Sequence, residues 1–103
     1  MTVVFTRFPV KPEYNEEYSK HLKEAAQKHN IKEQPGCLEV KLLCPQNTPM
    51  STSNIFTIVT GWKDMKSFMD YVQSDAFKKS HADMPSREWF SGKPEVEVYE
   101  TIG

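Results

Sequence analysis

Residues 55 to 62 constrain the fold more than any other stretch, because Ile55, Phe56, Ile58, Val59 and Trp62 put apolar side chains at both odd and even positions of a strand-length run. A strand that faces water on one side alternates apolar and polar residues, whereas this run reads as a strand covered on both faces. Any fold for this chain must therefore place residues 55 to 62 inside a sheet and supply two layers to bury it.

The rest of the chain can be fitted around that strand. Residues 2 to 10 alternate, with Val4, Thr6, Phe8 and Val10 pointing one way and Val3, Phe5 and Arg7 the other. Pro12 suits a first helical position, and the carboxylates of Glu13, Glu16 and Glu17 favour the positive end of the helix that follows. Tyr14, Tyr18, Leu22, Ala25 and His29 recur at three- and four-residue spacing, which predicts a core-facing stripe ending near Asn30. Pro35-Gly36 turns the chain. From Cys37 to Cys44 a second strand is expected, with Leu38, Val40 and Leu42 on one face and Glu39 and Lys41 on the other; Pro45 ends it. Residues 45 to 54 read as a polar hairpin loop.

After the doubly apolar strand, Asp64 is placed to N-cap a second helix whose buried stripe is expected to be Met65, Phe68, Met69 and Val72. Ser74 is placed to cap a further turn carrying Phe77 and His81 at i and i+4, before Pro85 stops it. A loop with Arg87 to Phe90 leads to a last strand, 95 to 101. The order is β-α-β-β-α-β, an α+β ferredoxin-like domain over residues 1–103, with a four-stranded antiparallel sheet and both helices on one face. The second face of residues 55 to 62 then needs another cover. A second copy of the chain supplies it, predicting a homodimer that closes into an α+β barrel.

Charge and length narrow the partners. Thirteen basic and fourteen acidic residues in 103 give a formal charge of -1, so no positive field draws in a phosphate backbone, and nucleic acid is not expected as a partner. The first residues lack the basic and apolar regions of a leader, and no apolar run approaches the ~20 residues that span a bilayer. A cytoplasmic protein without membrane partners is expected. Cys37 and Cys44 stand about 23 Å apart along one strand at ~3.3 Å per residue, too far to bridge, and are expected as small buried core residues rather than zinc ligands.

Pro35-Gly36-Cys37-Leu38, Leu42-Leu43-Cys44-Pro45, Phe56, Val59, Thr60, Trp62, Phe68 and the ending Ser74-x-x-Phe77-x-x-x-His81 together resemble the antibiotic-biosynthesis-monooxygenase-like family of dimeric ferredoxin-like domains, nearest its haem-degrading branch. The resemblance implies an oxygen-using oxidoreductase with haem as cofactor, His81 as axial iron ligand, and Phe68 and Phe77 as apolar walls of the haem site. It also implies catalytic roles at Arg7 and Tyr71, which occupy the positions of that branch's first-strand Asn and second-helix Trp. No flavin or nicotinamide fingerprint is present, so a haem enzyme would draw electrons from an external reductant. Other members of the family imply a cofactor-free monooxygenase of small aromatic substrates; a third reading is a dimeric small-molecule-binding domain without chemistry. Taken without the family, His81 caps carbonyls in a last helical turn, Tyr71 is a half-buried aromatic, Arg7 snorkels from the sheet, and His21 and His29 form polar edges of the first helix.

Overall fold

The computed structural model describes all residues, Met1–Gly103, in the order β1 (Thr2–Pro9), α1 (Asn15–His29), β2 (Cys37–Leu43), β3 (Ile55–Trp62), α2 (Met65–Val72), α3 (Asp75–Ala82) and β4 (Glu95–Glu100). The strands form one antiparallel sheet in the order β2-β3-β1-β4. The doubly apolar run is β3, one of the two central strands, and the architecture is the ferredoxin-like α+β fold expected from the sequence.

Cross-strand register sorts the side chains. Thr2 pairs with Trp62, Val4 with Thr60, Thr6 with Ile58 and Phe8 with Phe56, so the even positions of β1 and β3 share the helix-covered face. Tyr18 of α1 packs on that face against Phe8 and Phe56, with ring centroids 6.0 and 5.0 Å apart. Leu22 and Val10 complete the cluster, and Phe90, from the loop after α3, closes it. Burial pushes the Tyr18 hydroxyl far above its ordinary value, so this residue stays neutral and serves packing.

At the other end of β3, Trp62 is fully buried and donates its indole N–H to Thr60 Oγ1 at 2.9 Å. Tyr71 of α2 stacks on it at 5.1 Å and Phe68 leans against it at 5.9 Å. Asp64 caps α2 as expected, accepting from Ser67 N–H and Ser67 Oγ–H, each at 2.8 Å. Gly36, at φ +81°, lies directly under Ser67 and its carbonyl accepts from Lys63 N–H at 2.8 Å. That contact fixes the start of α2 on the turn into β2.

Four details differ from the sequence reading. A register shift between Cys37 and Glu39 inserts Leu38 as an extra residue, so Leu38 is 51% exposed rather than aligned with Val40 and Leu42. Cys44 lies past the end of β2 and is exposed, because the strand stops at Leu43; it is not a core residue. The inward side of α2 is Ser67, Phe68, Tyr71 and Val72, while Met65 and Met69 are 47% and 44% exposed. α2 docks on Gly36 through Ser67 and on Trp62 through Phe68 and Tyr71, which leaves the methionines facing outward. α1 is preceded by a separate 3-10 turn, Pro12–Tyr14, instead of beginning at Pro12.

Candidate functional site

Between α1, the sheet and α3 lies a small cavity of about 60 Å³. Leu22, Ala25 and Ala26 of α1 form its roof, Val40, Leu42 and Ile58 its floor, and Tyr71 and Ser80 supply its polar groups. The two alanines matter because they let α1 approach the sheet without filling the space. Tyr71 reaches the cavity because α2 ends beside it: Ser74 Oγ–H donates to the Tyr71 carbonyl at 2.6 Å and accepts Phe77 N–H at 3.2 Å, turning the chain from α2 into α3. Burial raises the Tyr71 hydroxyl above its ordinary value, and the neighbouring Ser80 hydroxyl opposes part of that rise. The phenol is therefore a hydrogen-bond donor at neutral pH.

Outside the cavity, a groove of about 360 Å³ runs between the end of α1 and β2. Ala26, Ile31, Val40 and Leu42 line both spaces; a single layer of apolar side chains divides them. At the far end of α1, His29 Nε2–H donates to Asp83 Oδ2 at 3.0 Å, and Lys28 Nζ lies 3.5 Å from the same oxygen. These contacts tie the last residues of α1 to the residue that ends α3. They hold Asp83 below the ordinary carboxylate range, the His29 hydrogen bond contributing most.

The sequence-derived site residues do not all meet. Tyr71 and Phe77 do, edge to face at 5.4 Å, and Phe68 lies beside Tyr71 on Trp62. His81 is exposed and lines neither space; its ring packs on Phe77 at 3.8 Å and its Nδ1–H donates to the Phe77 carbonyl at 3.0 Å. Arg7 is on the opposite face of the sheet, 3.7 Å from Glu97 and on the same side as the Phe5–Tyr99 ring pair. Strand parity excludes it from the helix-covered site, and the first-strand residue facing that way beside Ile58 is Thr6. The alternation of residues 2 to 10 already carried that signal. Ser80, Ala25 and Ala26 carried none, since only the docking of α1 on α3 brings them together. No group of three or more His, Cys, Asp and Glu side chains is gathered as a metal-ligand set.

Residues 1–83 match the family model described as antibiotic biosynthesis monooxygenase. The chain belongs to that family. No curated protein matches the sequence, but solved structures do. A conserved protein from Methanosarcina mazei is 23% identical with a TM-score of 0.72, over 98% of this chain and 92% of that one. The heme-degrader MhuD from Mycobacterium tuberculosis, solved with two hemes in its active site, is 20% identical with a TM-score of 0.77, over 99% and 96%. A provisionally assigned antibiotic biosynthesis monooxygenase from Nitrosomonas europaea is 14% identical with a TM-score of 0.74, over the full length of both chains. At these identities the likeness is one of fold, and the chemistry has to be argued from the residues of this chain.

The residues expected to hold a haem are not gathered around one space. The larger groove is built from α1 and β2, away from His81. The room and the candidate iron ligand are in different places.

Proposed function

We propose that this family member is a monooxygenase that oxidises a small activated aromatic, a phenol, without a resident redox cofactor. The observation that carries the reading is the apolar cavity whose polar lining residues are Tyr71 and Ser80. α1 roofs the cavity and its lining is apolar apart from these two groups, and in a low-dielectric site one hydrogen-bond donor aimed at a developing oxyanion has its largest effect. The substrate loses its phenolic proton to solvent and is held as the phenolate by Tyr71. The electron-rich ring then reduces dioxygen itself: one oxygen atom becomes the new ring carbonyl, and the other leaves as water with the two hydrogens lost from carbon and oxygen. A phenol and one dioxygen thus give a quinone and one water, which balances without an external reductant. The aromatic reaches Tyr71 through the groove, once the apolar layer between groove and cavity gives way.

The test is oxygen uptake with 1-naphthol as substrate. One dioxygen consumed per naphthoquinone formed is expected with no added reductant, and Tyr71→Phe should lower kcat about 100-fold, as loss of an oxyanion donor does, with far-UV dichroism unchanged. Turnover that requires a reductant, or full activity in Tyr71→Phe, refutes the reading.

A second reading, haem binding at His81, is favoured by one observation. The Nδ1–H bond to the Phe77 carbonyl fixes the tautomer and leaves the Nε2 lone pair free, the form an iron ligand needs. A saturable Soret shift on haemin titration, lost in His81→Ala, would select it.

We also propose that the protein is a homodimer through the outer face of the sheet. That face carries Val3, Phe5, Leu43 and Tyr99, of which Leu43 and Tyr99 are 46% and 51% exposed, and no element of the chain covers it. Sedimentation should return twice the chain mass of 11.9 kDa, falling to one in Leu43→Glu; a monomeric wild type refutes the assembly.

A further inference from the structure

We infer that the substrate carries a carboxylate, selected by Lys23 and Lys32 at the mouth of the groove that leads to Tyr71. The inference rests on the proposed oxidation of an aromatic and goes further by fixing its charge. Lys23 projects from α1 and Lys32 from the turn after it, both exposed and both lining the groove. Neither has a carboxylate partner among the ion pairs of the chain, and no acidic side chain lines this groove. The other large surface groove, about 540 Å³, mixes Glu16 and Glu24 with Lys20 and Lys23 and has no preferred sign. A single-signed mouth beside a cavity with no charged lining is complementary to a molecule with one apolar end and one anionic end.

The layout suits that molecule. Its ring enters past Ile31 and Leu42 to the cavity, while its carboxylate stays hydrated at the rim between two flexible cations. The mouth lies at the C-terminal end of α1, where the helix presents negative partial charge. That end disfavours a phosphate dianion more than a single carboxylate, and the two lysines offset it. Because the pairs form in water, the selectivity is modest: two exposed ion pairs amount to about tenfold in affinity at low salt.

Anaerobic binding of two probes that cannot turn over tests this: 2-naphthoate and the neutral 2-naphthylmethanol, followed by amide chemical shifts of Ala26, Ile31 and Leu42. Both probes should move those resonances, the acid binding about tenfold tighter at low salt and nearly equally at about 1 M salt, where the screening length falls to roughly 3 Å. Lys23→Gln with Lys32→Gln should abolish the preference while leaving the alcohol's affinity unchanged. Equal binding of the two probes by the wild type, or a preference that survives in the double variant, overturns the inference and leaves the aromatic oxidation standing. Failure of both probes to perturb those residues overturns the two together.

Discussion

Gly36→Ala tests the joint that sets the position of Tyr71. A Cβ at residue 36 would fall 2.3 Å from Ser67 Oγ and 2.4 Å from Ser67 Cβ, far inside van der Waals contact, and at the first turn of α2 rather than at the end of a flexible side chain. Residue 36 also has φ +81°, which for an L-residue costs roughly 1–2 kcal/mol. Forcing the extra methyl into the packed joint adds about 1–3 kcal/mol, for a total of about 2–5 kcal/mol. A domain of this size has about 5–15 kcal/mol in all, so the loss is readily measured by urea unfolding. Ser67→Gly removes both close atoms and leaves only Ser67 Cα, at 3.8 Å. The double variant should therefore recover about 1–3 kcal/mol relative to the sum of the single changes, retaining only the backbone cost. Because α2 carries Tyr71 onto Trp62, Gly36→Ala should also quench the Trp62 environment seen in near-UV dichroism. A loss below about 0.5 kcal/mol, or strict additivity with Ser67→Gly, would refute the steric argument.

Two further expectations concern titration and thiol chemistry. Asp83 is held below its ordinary 3.8 by the His29 hydrogen bond and by Lys28, so its contribution to stability is present above the unfolded-state value and is lost as pH falls through the lower folded-state value. Asp83→Asn should lower Tm by a constant amount at neutral pH, and the difference should vanish in the acid range; a difference that persists unchanged at about pH 2 would contradict the assignment. For the cysteines, Cys44 is exposed, whereas burial pushes the half-buried Cys37 thiol up and its S–H is directed at the Glu39 carbonyl. A thiol reagent should find one fast and one slow site in the folded protein and two fast sites after unfolding; two equally fast sites in the native protein would show that Cys37 is not shielded.

The sequence alone determined what depends on near neighbours in the chain. Alternation at period two marked the strands, and the doubly apolar run located β3 in the interior of the sheet. Asp64 and Ser74 marked the starts of α2 and α3, because a cap needs only its own side chain and an N–H three residues on. Strand parity also places Arg7 away from the helix face, and the pairing of Arg7 with Thr57 agrees with it. Tertiary structure decided the rest. The bulge at Leu38 arises from pairing between β2 and β3, and the outward turn of Met65 and Met69 from where α2 docks; neither is encoded in the local period. The cavity is the clearest case. Ala25, Ile58, Tyr71 and Ser80 lie on four separate elements, and nothing in their spacing along the chain relates them. Only the packing of α1 and α3 over the sheet makes them one site and leaves His81 outside it.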